Sequence, residues 1–290
     1  MNGTQTIDFS VPNPSATPNF SLPLYQGASF NPNLSSWWIN YVGGFMKFNM
    51  SAPDNHGVAL ILMLCSGLVG SSTDCPTTVT VNGQTLVSNW DPHNINFYNK
   101  SWYMPPTMLQ SGNNEILVTL SGGTTAVFLK AASIMTFQMQ NQQQTQWCWS
   151  AVSTSTSVYF SSSSSWTQCS LANAELGQTT CCQDGGSSQC NQPWYLDQAL
   201  SRTGNLASWT AGTEPVGAVE GQIDIQRPLG ARIGWSGGGG HFVMLTGVGQ
   251  NQTMVAVEDP WYGPSYISYS TFSTNYKGSG TWTHSYFTQA

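Results

Sequence analysis

Charge is scarce in this sequence, positive charge most of all: 7 Lys and Arg stand against 13 Asp and Glu in 290 residues, a formal net charge of −6. Nucleic-acid binding draws its affinity from rows of cations on phosphates, and anionic membranes recruit polybasic patches. Seven scattered cations build neither, and no half of the chain concentrates them: residues 1–132 hold three cations and five anions, residues 133–290 four and eight. Long apolar runs are missing too. The longest, Val58 to Cys65, falls far short of the ~18 residues that suggest a membrane span. Its end, Leu62-Met63-Leu64-Cys65, has Leu where a lipidation box needs a small residue, and reads as a buried strand. The opening Met1-Asn2-Gly3-Thr4 carries neither the basic nor the apolar region of a signal peptide. What is present excludes disorder: 40% of residues are hydrophobic and 12% aromatic, with 12 Trp, and that much aromatic surface must be buried or used in binding.

Residues 1–132 read as all-β. Short apolar runs such as Phe45-Met46-Lys47-Phe48, Thr78-Val79-Thr80-Val81 and Ile116-Leu117-Val118 are separated by Gly, Pro and Asn clusters, and Asn82-Gly83 is a hairpin signal. The expectation is a β-sandwich or jelly roll. The segments Val81-Asn82-Gly83 and Leu109-Gln110-Ser111-Gly112-Asn113-Asn114-Glu115-Ile116 resemble galactose-binding-type jelly rolls, a fold that permits carbohydrate binding without implying it. Trp37, Trp38, Trp90 and Trp102 are candidates for a sugar-stacking platform, although core burial is the expected fate of most aromatics. His56 and His93, each near an Asp, are expected to be ordinary surface histidines.

From about residue 133 the character changes. A Gln run, Gln142-Gln143-Gln144, leads to Trp147-Cys148-Trp149 and a helical spacing of Cys148, Ala151, Val152, Ser155 and Tyr159. Asn191-Gln192-Pro193 signals a second helix start and Gly204 its stop. From Ala231 onward the pattern turns to strands, with His284 in the last of them reading as packing. Helices first and strands afterwards predict an α+β domain with a cleft between the two parts.

The seven cysteines are an odd number. Cys169, Cys181, Cys182 and Cys190 cluster, Cys65 and Cys75 bracket a short loop, and Cys148 stands alone. In an oxidising compartment the simplest solution is six half-cystines and one free thiol, which places the protein outside the cytoplasm. Adjacent cysteines rarely bridge, so Cys181 and Cys182 pair separately with Cys169 and Cys190, in either of two connectivities. Zinc competes poorly, since no His lies near the cluster; no metal and no cofactor is expected.

Cys148 sits where free N–H groups and the positive end of a helix favour a thiolate. His241 follows four glycines and opens an apolar strand; Asp259 ends the next one, in Val257-Glu258-Asp259-Pro260-Trp261. Antiparallel neighbours joined by a short turn bring those two side chains to the same end of a sheet, where the Asp can fix the imidazole's tautomer. The four glycines read either as a place for close substrate approach or as a flexible loop.

Residues 133–290 resemble the papain-like cysteine peptidases, most closely the short bacterial branch that includes secreted enzymes and plant-pathogen effectors. The matching residues are Gln142, Trp147-Cys148-Trp149, Gln168-Cys169 with Asn173, Cys181-Cys182, Cys190-Asn191, Gly237 to Val243, and Asp259-Pro260-Trp261-Tyr262-Gly263. The resemblance implies Cys148 as nucleophile, His241 as general acid and base, Asp259 as orienting residue where papain has Asn, and Gln142 as oxyanion-hole donor, with Gln143 the fallback by one register. Trp149, Gly239, Gly240 and Trp261 are candidates for the substrate cleft, Trp261 either covering the Asp259–His241 hydrogen bond or simply packing. The expected whole is a secreted two-domain protein: a β-sandwich over 1–132 that binds or targets, and a papain-like domain over 133–290 that hydrolyses peptide bonds through a thioester. Its partner is a protein or peptide, with a glycan as the ligand the first domain permits. Two alternatives stay open: a carbohydrate-binding protein whose papain-like domain is inactive, and a deamidase or transglutaminase using the same three residues.

Overall fold

A computed structural model describes residues 3–9, 25–26, 28–31, 33–34, 36–39, 42–52, 56–67, 75–123 and 125–290. The chain divides into two compact units, one of Thr4–Met135 and one made up chiefly of Thr136–Ala290.

The first unit is a sandwich of two sheets. One has the order β3 (Ala28–Asn31), β4 (Ser36–Ile39), β11 (Val127–Thr136), β6 (Val58–Ser66), β9 (Tyr98–Met104), with β1 (Gly3–Asp8) also on β11. The other runs β2 (Tyr25–Gln26), β5 (Phe45–Ala52), β10 (Gly112–Leu120), β7 (Thr77–Val81), β8 (Gln84–Trp90). Period-2 patterning builds it: β5 sends Met46, Phe48, Met50 and Ala52 inward, and β10 sends Ile116, Val118 and Leu120. Asn82-Gly83 forms the two-residue turn between β7 and β8, both residues at positive φ. The Asn82 amide donates to Asn114 Oδ1 (2.8 Å) and its Oδ1 accepts from the Glu115 N–H, while buried Asn114 also bonds Gln110 and Gly112. The jelly-roll motif residues are therefore turn-pinning groups. Trp37 and Trp102 are buried in the core, Trp90 packs against it, and Trp38 stacks on Phe128.

The expected Cys65–Cys75 bridge does not form; both cysteines are buried and outside any disulfide. The reason is the pleat of β6. Val58, Leu60, Leu62 and Leu64 point into the core, so Cys65 points the other way, into a small cluster with Ala126 and Phe128. Cys75 belongs to the inner core, its N–H held by Asp91 Oδ2 at 2.8 Å. Of the two connectivities left open for the other four, the structure has Cys169–Cys182 and Cys181–Cys190. In denaturant without reductant, three thiols should titrate, and reduction should release four more. A count of one before reduction would restore the Cys65–Cys75 bridge.

The second unit opens with α1 (Cys148–Phe160), α2 (Gln168–Leu176) and α3 (Leu196–Arg202) and continues into an antiparallel sheet. Its strand order is β12 (Leu206–Ala211), β17 (Gly280–Thr288), β13 (Leu229–Trp235), β14 (Gly240–Val248), β15 (Met254–Glu258), β16 (Ser265–Ser268). Two further helices, α4 (Val216–Asp224) and α5 (Tyr269–Asn275), bury Val219 and Phe272 with Ile233, Val243, Leu245 and Trp282 of the sheet. Helix α1 is buried on nearly all sides although it is rich in Ser and Thr. Its hydroxyls return hydrogen bonds to the preceding turn, Thr154 to Ser150 O, Ser155 to Ala151 O and Thr156 to Val152 O, so these three side chains are satisfied without water.

Candidate active site

Cys148 is the first residue of α1, so its backbone N–H has no partner one turn back inside the helix. The segment that carries it is clamped by the disulfide-bonded loop. Trp147 Nε1 donates to Cys190 O (2.8 Å), Trp149 Nε1 to Gln192 O (3.0 Å), and the Gln146 N–H to Asn191 Oδ1 (2.9 Å). Asn173 Oδ1 accepts the Cys181 N–H, tying α2 to the same loop.

His241 is the second residue of β14 and Asp259 follows the last residue of β15. These strands pair antiparallel with Met244 opposite Glu258, which brings the two side chains to one end of the sheet. His241 Nε2 lies 2.9 Å from Asp259 Oδ1. A carboxylate accepts, so Nε2 carries the proton and Nδ1 is the nitrogen left to face Cys148, whose side chain is near enough to raise the imidazole pKa. Asp259 Oδ1 also accepts the N–H groups of Trp261 (2.7 Å) and Tyr262 (2.9 Å), and Oδ2 accepts the Tyr276 hydroxyl (2.7 Å). Burial opposes the charged imidazolium, but the hydrogen bonds and charges of Asp259 and Cys148 outweigh it and push His241 up to about 9. Burial opposes the Asp259 carboxylate as well, and the bond and charge of His241 with the two backbone N–H groups hold it below its usual range. The ring lying over His241 is Trp235, near-parallel at 22° with centroids 6.1 Å apart.

The Gly run is a tight hairpin turn between β13 and β14, not an open loop. Gly238 and Gly239 adopt φ of 93° and 82°, conformations that L side chains rarely take. Gly240 answers to a different demand: a Cβ there would meet the Arg232 guanidinium at 2.8–3.0 Å.

Two recesses meet at Cys148. The larger, about 880 Å³, is walled by Trp149, Trp194, Trp209, Phe242 and Tyr286, with Arg232, His284 and Asp197 as its charged or titratable members. The smaller, about 400 Å³, holds Gln142, His241, Trp235, Gly239, Trp261 and Tyr262. Gly240 borders both. All four cleft candidates thus line one recess or the other. Gln142 faces the smaller one; its Nε2 donates to Gln144 O (2.8 Å) and Thr145 O (3.1 Å), and its Oε1 is buried with no partner among the described residues. Gln143 is exposed and gives its N–H to Gln168. Trp261 is 55% exposed; the indole stacked on His241 is that of Trp235, and the Tyr276 hydroxyl bonds Asp259 Oδ2. His284 is not mere packing: it is half-buried in the larger recess, and burial together with the Arg232 charge lowers its pKa. His93 is a surface residue, as expected, beside Asp91.

Sequence reasoning missed Tyr276, Trp235 and Arg232. Trp235 stands just before the glycines and an aromatic in that position is a usable signal; Tyr276 lies 17 residues beyond Asp259 with nothing in its neighbourhood to mark it. Among the described residues no group of three or more His, Cys, Asp or Glu could hold a metal ion, and no helix is long and apolar enough to cross a membrane.

The sequence model of the family described as papain-like cysteine protease AvrRpt2 matches residues 130–277, about half of the chain. Among the curated proteins, none matches. Among solved structures, a family 35 carbohydrate binding module from Clostridium thermocellum is 21% identical, over 40% of this chain and 95% of its own, with a TM-score of 0.32. The C-terminal CBM6 of LamC, a marine laminarinase from Zobellia galactanivorans, is 12% identical over 46% and 100%, with a TM-score of 0.34.

Proposed function

The chain belongs to the family of the papain-like cysteine protease AvrRpt2, and on that premise we propose that residues 133–290 are a cysteine peptidase domain that hydrolyses peptide bonds through a thioester. One observation carries the reading: an imidazole bonded to Asp259 through Nε2 and influenced by Cys148 borders the point where two recesses meet at that thiol. In this reading Cys148 Sγ attacks the substrate carbonyl as a thiolate. The oxyanion is met by the Cys148 N–H and by Gln142 Nε2, which gives up its longer bond to Thr145 O; one such donor is worth about 3–4 kcal/mol in other acyl-transfer enzymes. His241 Nδ1–H then protonates the leaving amine, the thioester forms, and the same nitrogen takes a proton from the water that hydrolyses it. Because the leaving amine must lie against His241, the smaller recess receives the leaving side of the substrate and the larger one the acyl side.

We read residues 1–132 as a binding or targeting domain. A glycan is the ligand that its sandwich permits, although Trp37 and Trp102 are spent in the core. The two disulfides support a location in an oxidising, extracytoplasmic compartment. A peptide-library cleavage assay on the full chain, with Cys148→Ala as its control, tests the reading. Cleavage should vanish in the variant; cleavage that survives it overturns the assignment. Release of ammonia or amine incorporation in place of cleavage would turn the same chemistry into deamidation or transglutamination.

A further inference from the structure

The peptidase reading gives Tyr276 no task. Tyr276 is fully buried at the end of α5 and gives its hydroxyl to Asp259 Oδ2 at 2.7 Å. Asp259 is itself 1% exposed, and a carboxylate removed from water stays ionised only where its lone pairs are met. His241 and two backbone N–H groups all fall on Oδ1. Among the described residues Tyr276 is the sole donor to Oδ2.

The ring that carries that hydroxyl is held in place, with the buried Ser265 Oγ beside the hydroxyl as well. The Tyr276 backbone exchanges both hydrogen bonds with Gly280, each 2.8 Å, and its ring lies against Phe272 and Trp235. Trp235 stacks on both Tyr276 and His241, at 24° and 22°, so one indole backs both side chains that bond Asp259. Burial, with the Asp259 charge adding to it, pushes the Tyr276 hydroxyl well up, which leaves it a donor throughout the neutral range.

Resting on the catalytic reading of Cys148, His241 and Asp259, we propose that Tyr276 is a positioning residue: its hydroxyl holds Asp259 ionised and aimed at His241 where water does not reach. The other ionisable groups around it are Tyr262, the Lys277 ammonium over the Tyr262 and Tyr276 rings (5.1 and 5.4 Å), and the buried Glu258 that precedes Asp259. None of them donates to Oδ2.

The test needs no substrate. The rate of Cys148 alkylation by iodoacetamide is followed against pH by peptide mass spectrometry, which separates Cys148 from Cys65 and Cys75, the other two cysteines outside a disulfide. Tyr276→Phe keeps the ring and removes the donor, so the acid limb of the profile should move up by about one to two pH units. In an Asp259→Asn background no carboxylate titrates, and adding Tyr276→Phe should leave the acid limb where it was. Thermal unfolding confirms that each variant is folded. An unmoved limb in Tyr276→Phe, or equal shifts in both backgrounds, overturns the proposal and leaves the peptidase reading standing. A profile that His241→Ala does not alter overturns the Cys148–His241 pairing, and this proposal with it.

Discussion

His241→Ala is expected to slow peptide cleavage by about 10²–10⁴-fold or more, because one side chain serves as acid for the leaving amine and base for the water. Asp259→Asn should cost far less, on the order of 10-fold, and the geometry says why. An Asn can keep Oδ1 where His241 Nε2–H and the Trp261 and Tyr262 N–H groups donate. Its Nδ2 then faces the Tyr276 oxygen, which rotates its proton away and accepts. The tautomer of His241 survives; the carboxylate charge does not. Since that charge and hydrogen bond help hold His241 at about 9, the alkaline limit of activity should lie near pH 9 in the parent and fall toward neutrality in Asp259→Asn. Equal losses in the two variants would contradict an orienting role for Asp259.

The same shifts fix the pH dependence of stability. His241 is raised from 6.5 to about 9 on folding, so its contribution is complete below pH 6.5 and is lost as pH rises through about 9. Asp259 is lowered from 3.8, so its contribution is complete above that value and is lost as pH falls through its folded pKa. From these two groups alone, resistance to urea should form a plateau between about pH 4 and 6.5.

Cys148, His241 and Asp259 were legible because each stands at a boundary that sequence marks: a helix start, a glycine turn, a strand end. Antiparallel pairing did the rest. The disulfide cluster was legible for the same local reason. Cys65 and Cys75 misled because spacing says how near two residues are along the chain and not which face of a strand they share; one residue of pleat separates a bridge from two buried thiols. Helices α2, α4 and α5 were not anticipated. They are seven to nine residues long, and α2 is held by a capping box of Thr167 and Ser170 without the usual acidic partner. Tyr276 was invisible because its role is set entirely by tertiary contact. Its hydroxyl reaches Asp259 from a helix that carries no motif.

Trp147→Ala should be the most damaging single change to stability in the second unit, at about 3–5 kcal/mol. The indole is 1% exposed. Its packing is tight enough that a methyl group on Gly185 would meet it at 2.9 Å. Its Nε1 is bonded to Cys190 O, at one end of the Cys181–Cys190 disulfide. Truncation therefore opens a cavity and strands a buried carbonyl together. Trp147→Phe separates the two: it keeps most of the apolar mass and loses the donor, for about 1–3 kcal/mol. Urea unfolding of both variants reads the difference directly. If Phe costs as much as Ala, the hydrogen bond rather than the packing anchors the segment; if Ala costs under about 1 kcal/mol, Trp147 is no anchor at all. The effect should also reach the chemistry. Trp147 is the N-cap of α1, so loosening it frees the end of the helix that presents the Cys148 thiol to His241. Alkylation of Cys148 in the folded Trp147→Phe variant should accordingly lose part of its dependence on His241, whereas a change far from this clamp, at the exposed Ile225 for example, should leave it untouched.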